Sequence, residues 1–215
     1  LVKSSAASDV YKRQTKSEHS NNHFRPDIID SRFLAAIKGN GGPSGNQTWN
    51  IFDSNQNSQL LIDFVRGAEV SSKIADLTSL NGIFNTEIRG SSLAYGFQLN
   101  RESLDINYDE ISRAEFDKDG KLIKTADLFF LGGGINLSKS RNSNAIFFEL
   151  EKNAFENLDI RLAARYESMK NESSFDPKIS FKYMVSDLFT IRFSKGTAFS
   201  SPSMAQMFSS EINLG

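Results

Sequence analysis

Glu149 and Glu151 are spaced i and i+2, so an extended backbone would hold their Cα atoms ~6.5–7 Å apart on one strand face. That is near the ~6.5–9.5 Å carboxyl separation of an inverting glycosidase. Arg161 and Arg165 follow at strand spacing, however, and opposite charges on neighbouring strands form a charge network before they form a catalytic pair. Asp117-Lys118-Asp119-Gly120-Lys121 resembles the start of a calcium loop but lacks the later ligands and the bidentate Glu, and reads as a hairpin tip. The glycine runs Gly39-Asn40-Gly41-Gly42-Pro43 and Gly132-Gly133-Gly134 are not followed by Lys-Ser or Lys-Thr and read as loops, not phosphate cradles. Trp49 and Phe52 stand in the long segment before the first expected strand. They are candidates either for ligand contact on an external loop or for pinning that loop to its scaffold.

The residue inventory narrows the chemistry further. The chain has no cysteine, which removes thiolate nucleophiles, thiolate zinc sites and cysteine-ligated iron–sulfur clusters. Its two histidines, His19 and His23, have ligand-like spacing only on a helix, so no metal site and no cofactor are expected, and no Ser–His–Asp set can be assembled. Three tripeptides, Asn46-Gln47-Thr48, Asn136-Leu137-Ser138 and Asn171-Glu172-Ser173, fit a glycosylation pattern that is common by chance. With 25 basic and 26 acidic residues there is no charge excess to attract nucleic acid. No apolar run reaches the ~18–20 residues of a transmembrane helix, which leaves a soluble protein or the other structure a membrane permits, a closed β-barrel.

From Leu80 onward the pattern alternates with period two, the mark of strands whose faces meet different surroundings. Six strands are expected, at about 80–89, 93–106, 144–151, 158–168, 177–185 and 188–196. The fourth is the cleanest. Leu158, Ile160, Leu162, Ala164 and Tyr166 oppose Asp159, Arg161, Ala163, Arg165 and Glu167. In the third, Ile146, Phe148 and Leu150 oppose Ala145, Phe147, Glu149 and Glu151, with Phe147 out of pattern. Polar positions facing inward give the candidates Asn85, Gln98, Glu149, Arg161, Arg165 and Lys182. Connections are expected to alternate: short at 90–92, long at 107–143, short at 152–157, medium at 170–176 and short at 186–187.

A soluble antiparallel sandwich alternates in the same way and would turn the aromatic faces inward. Two details favour a membrane barrel. Several strands keep alternating for about ten residues, where sandwich strands usually run ~5–6. The polar faces also mix charge with Gly, Ala and Ser, as a wet lumen tolerates, while the apolar faces are nearly uncharged.

Arg192-Phe193-Ser194-Lys195-Gly196-Thr197-Ala198-Phe199-Ser200-Ser201-Pro202-Ser203-Met204 resembles the strand-to-loop pattern of TonB-dependent outer-membrane receptors. Arg192, Gly196, Phe199, Pro202 and Ser203 carry the match, whereas Ala198, Ser200, Ser201 and Met204 stand where Gly, Arg, Ala and Leu are usual. Glu156-Asn157-Leu158 through Ala163-Ala164-Arg165-Tyr166-Glu167, Asp176-Pro177-Lys178-Ile179-Ser180, Gly96-Phe97-Gln98-Leu99-Asn100-Arg101-Glu102-Ser103-Leu104 and Asn50-Ile51-Phe52-Asp53 are similar to segments upstream of it in the same family, and the resemblance spans roughly residues 24 to 215.

The resemblance implies an all-β, antiparallel transmembrane barrel of about 22 strands, of which this chain supplies about six consecutive ones. It further implies a bacterial outer-membrane location and energy-coupled import of a scarce, bulky nutrient such as a siderophore, corrinoid or glycan. The implied partners are outer-membrane lipid, a small-molecule or oligosaccharide substrate, and the TonB energy-transducing complex acting through a plug that is not in this sequence. Binding and passage, not bond chemistry, is the expected work. A plugless porin-like barrel and a soluble β-sandwich binding module are the alternatives.

Three segments are expected. Residues 1–14 are set aside as a leader, because Ser4-Ser5-Ala6-Ala7-Ser8-Asp9-Val10-Tyr11-Lys12-Arg13-Gln14 resembles translated adapter sequence. Residues 15–79 read as an external loop region with a possible partial strand, and 80–215 as barrel strands and loops. Both ends, Leu1 and Gly215, read as truncations.

Overall fold

The computed structural model describes residues 9–170 and 172–208; residues 1–8 of the leader segment, Asn171 and residues 209–215, with both chain ends, lie outside them. In chain order the elements are β1 (Asp9–Ile28), α1 (Asp30–Ile37), α2 (Gln59–Val65), β2 (Arg66–Ile88), β3 (Ser91–Tyr108), β4 (Glu115–Phe116), β5 (Leu122–Lys124), β6 (Leu137–Phe155), β7 (Leu158–Met169), β8 (Glu172–Ser186), β9 (Phe189–Gly196) and α3 (Met204–Met207). Seven strands form one sheet in the order β1-β2-β3-β6-β7-β8-β9, and β4 pairs with β5 alone. Among the described residues no helix is long and apolar enough to cross a membrane.

The six expected strands all fall within β2, β3, β6, β7, β8 and β9, apart from Arg89 and Leu188, which sit in turns. The seventh, β1, begins at Asp9 inside the segment set aside as a leader and continues through residues read as loop. Its sequence is polar on both faces, so no alternation marks it, and Pro26 suits a strand at the edge of a sheet. The connection expected at 170–176 is also tighter than its composition implies. Met169 pairs with Glu172, Ser168 with Ser173 and Glu167 with Ser174, so β8 starts in a polar stretch. Two connections are long, β1 to β2 and β3 to β6, and both carry structure of their own.

The turn from β2 to β3 has two residues, Arg89 at φ 49° and Gly90 at φ 70°. Positive φ at both central positions is the type I′ hairpin turn, whose twist matches the strands it joins. Gly90 adopts that backbone freely; Arg89 does so against its Cβ, where Asn is the favoured residue. Arg89→Asn is expected to stabilise the complete protein by roughly 0.5–1 kcal/mol, read as a higher urea midpoint with unchanged slope.

The described residues divide into two compact units. The first comprises the chain up to Glu18, Asp76–Ser103 and Ser140–Pro202. Here β6, β7, β8 and β9 are antiparallel, and directly paired residues share a face. One row runs Leu150–Leu162–Ile179 and ends on Lys195, and another starts at Lys152 and runs Ile160–Phe181–Phe193, with the last two rings stacked at 5.2 Å, so each row carries one lysine at its end. Phe84 and Tyr95 stack likewise on β2 and β3 at 5.3 Å. This face is apolar yet open: Ile146 is 62% exposed, Phe175 63% and Phe148 48%.

Phe147, out of pattern in the sequence, is explained by Gly96. A Cβ placed on Gly96 would lie 2.7 Å from the Phe147 ring and 2.2 Å from the Gly82 carbonyl oxygen. The ring therefore occupies the space that the glycine leaves on the polar face, covering bare backbone. Gly96→Ala is expected to cost ~1–3 kcal/mol, measured by urea unfolding. Adding Phe147→Ala will not restore the loss, because the obstructing Gly82 carbonyl belongs to the backbone.

The second unit comprises His19–Ala75, Leu104–Lys139 and the chain from Ser203. Ala36 of α1 packs on Leu61 and Val65 of α2, with Phe33, Trp49 and Phe64 around them. Ser58 caps α2 by accepting from the Leu61 N–H at 3.2 Å. The first turn of α1 is served from a distance, since the Asp127 carboxylate accepts from the Ser31 N–H at 2.7 Å and from its hydroxyl at 2.6 Å. Asp27 reciprocates by accepting from the N–H groups of Phe130 and Leu131. The connection from β3 to β6 is thereby held at two points, by Asp27 at the end of β1 and through its own Asp127 on α1.

Candidate functional site

The polar face of the first unit brings together most of the charged residues singled out in the sequence. Arg161 lies between two acids, with Nη2 donating to Glu151 at 2.6 Å and Nε standing 3.2 Å from Glu149. Glu149 and Glu151 thus share one guanidinium, as a charge network on a strand face does. Arg165 donates from Nη2 to Glu167 at 3.0 Å and to Gln98 at 2.8 Å. To reach Gln98 on β3 it spans β6, where Ala145, on the same face, is small and buried. Lys182 stands 3.2 Å from Asp159, its direct cross-strand partner. Asn85 lies on β2, half-buried, in alternation with the Phe84 that stacks on Tyr95.

Sequence reasoning passed over Arg141. It pairs with Glu102, its Nε donating at 3.0 Å, and its Nη1 donates to the Ser201 hydroxyl at 2.7 Å and the Pro202 carbonyl at 2.8 Å. The residue falls at the polar start of β6, Ser138-Lys139-Ser140-Arg141-Asn142-Ser143, where neither face is apolar and period two is invisible. The spacing Arg141, Ser143, Ala145 is nevertheless continuous with Phe147 and Glu149, and extending that face would have found it.

The motif residues divide between strand and loop. Arg192 pairs in register with Lys182, and Gly196 with Lys178. Phe199 is exposed, and Pro202 accepts from Arg141. Ser203 caps α3 in a capping box with Gln206. Met204, where the family usually has Leu, is buried with Leu104, Ile106, Tyr108 and Leu137, so an apolar side chain is what that position requires.

The two aromatic candidates separate. Trp49 meets Phe33 edge-on at 5.6 Å and joins the α1–α2 core, whereas Phe52 is 93% exposed. The other motifs resolve as structure. Asp117 closes its hairpin by accepting from the N–H groups of Asp119 and Lys121 at 2.9 and 2.8 Å. His19 and His23 lie on a strand, not a helix, with His23 Nδ1 3.9 Å from Glu69. Neither glycine run opens a helix, and Asn136 accepts from the Tyr108 N–H at 2.7 Å. Among the described residues no group of three or more His, Cys, Asp or Glu could hold a metal ion.

An antiparallel sheet with one open apolar face and one face of ion pairs has the division found in the strands of outer-membrane barrels. Residues 5–214 match the family described as TonB dependent receptor-like, beta-barrel, and the chain belongs to that family. Its members are transporters, not enzymes, and membership carries the general function of TonB-dependent transport at the outer membrane. No curated protein and no solved structure matches the chain.

Proposed function

We propose that the seven-stranded sheet is part of a closed barrel of about 22 strands around a plug, in a receptor that imports a scarce, bulky nutrient such as a siderophore, corrinoid or glycan. The observation that carries this reading is the division of the sheet faces. Phe148, Leu162 and their apolar row neighbours meet lipid, while Gln98, Glu149, Arg161, Arg165 and Lys182, with Asn85 on β2, line the wet interior and meet the plug. Strands of 12–23 residues exceed the ~9–11 needed to cross the apolar layer, apart from the eight-residue β9, and so extend beyond it. The long connections face outward, with Phe52 offered to ligand and Trp49 fixing the loop that presents it.

Energy coupling distinguishes this receptor from a porin-like barrel. In cells expressing the complete gene, uptake is expected to stop when the proton gradient is collapsed or the TonB complex is deleted. Uptake that continues unchanged would assign a diffusion pore instead.

A further inference from the structure

The chain leaves the sheet early at the end of β9. Its register with β8 stops where Gly196 pairs with Lys178, although β8 itself begins at Glu172. A Cβ on Gly196 would stand 3.0 Å from the Lys178 Cβ and 3.1 Å from the Pro177 carbonyl oxygen, which also accepts from the Thr197 N–H at 3.1 Å. The next fixed points lie elsewhere. The Ser201 hydroxyl and the Pro202 carbonyl accept from Arg141 Nη1 at 2.7 and 2.8 Å, and Arg141 stands on β6, beyond β8 and β7 in the sheet order. Arg141 alternates in phase with Ala145 and Glu149, and its partner Glu102 alternates in phase with Gln98, so both project from the polar face. Thr197–Pro202 therefore lies over that face. The strands that hold it, β3 and β6, each have both sheet neighbours within this chain.

The anchor has a physical basis in each partner. Glu102 takes the Nε side of the guanidinium and sets its plane, which aims Nη1 at the segment. The Arg141 side chain is 13% exposed, against 50% for Arg161 and 35% for Arg165 on the same face. Pro202 fixes its own φ and biases Ser201 toward an extended backbone, so little chain freedom is lost when the segment is held. Within the second unit Met204 is buried with Leu104, Ile106, Tyr108 and Leu137, which fixes the chain again just beyond.

We propose that Thr197–Pro202 is a strap that narrows the interior of the barrel, with Arg141 the positioning residue that holds it and Phe199, 42% exposed, a wall residue past which the solute moves. The strap rests on the reading of the polar face as the wet interior. The test uses the full-length receptor in intact cells, with single cysteines labelled by two water-soluble maleimides, one small and one carrying a long polyethylene glycol chain. Phe199→Cys is expected to react with the small reagent but severalfold more slowly with the large one, whereas Phe52→Cys, at a residue 93% exposed, reacts with both. Adding Arg141→Met should let the large reagent reach Phe199→Cys severalfold faster. Arg141→Lys keeps a charge toward Glu102 without the planar fork; it should give a smaller rise, and it carries the test if the methionine variant does not assemble. Equal access of the large reagent to Phe199→Cys and Phe52→Cys with Arg141 intact overturns the strap. No rise in any Arg141 variant that assembles overturns the role of Arg141. Resistance of Phe199→Cys to both reagents throughout overturns its place on the path. The face reading has its own control, since Gln98→Cys should label with the small reagent and Leu162→Cys should not. The reverse pattern overturns the wet interior, whatever the result at Phe199.

Discussion

Phe148→Arg and Leu162→Arg should each cost the complete barrel ~2–4 kcal/mol where the strands pass the middle of the bilayer, and Gln98→Arg far less. The rows decide this. Leu162 lies between Leu150 and Ile179, and Phe148 is in row with Ala164 and Pro177, so an arginine at either place finds no acid beside it. On the lipid side it must leave water without a partner or snorkel toward the interface. Gln98 instead lies on the charged face, 2.8 Å from Arg165, with Glu167 already bonded to that guanidinium, and in the proposed wet interior water reaches both. The measurement is the urea dependence of folding into lipid vesicles. Equal penalties at Leu162 and Gln98 would sink the assignment of lipid and lumen faces.

The sheet was legible in the sequence where its two faces differ in polarity. The β7 stretch alternates without a break, and its register with β6 and β8 places Arg161 beside Glu149 and Glu151 as the pattern requires. Legibility ended where both faces are polar. All of β1, the first residues of β6 with Arg141, and the first residues of β8 are strands by pairing and not by pattern.

The helices were missed for another reason. With eight and seven residues, α1 and α2 are shorter than the ~11–18 residue window over which helical periodicity can be read. Their stability is tertiary, lodged in Ala36, Leu61 and Val65 and in the cap that Asp127 supplies from 96 residues away. The cation pair Lys182–Arg192 was likewise hidden. Neither residue is unusual on its own strand, and only the β8–β9 register sets them opposite each other.

Arg25→Met should be the most damaging polar substitution in the second unit, at ~3–5 kcal/mol, and more damaging than Glu69→Gln at the other end of the same pair. Arg25 Nη2 donates to both Glu69 oxygens at 2.7 Å, but the partners are unequally placed. The Glu69 side chain is 4% exposed and that of Arg25 49%. Removing the arginine strands a buried carboxylate, whose other ion-pair contact among the described residues is the His23 ring, with Nδ1 at 3.9 Å. Removing the charge of Glu69 leaves a guanidinium that water can reach, and the amide still accepts a hydrogen bond. The exposure of Arg25 weakens the pair without lowering the cost of desolvating Glu69, so the two losses need not be equal. The double substitution Arg25→Met/Glu69→Leu should recover much of the stability lost in Arg25→Met, because no buried charge remains. Urea unfolding of the complete receptor, with protease sensitivity of the long connections as a local readout, gives the order. A larger loss in Glu69→Gln than in Arg25→Met, or no recovery in the double variant, would show that burial of the carboxylate does not control this cluster.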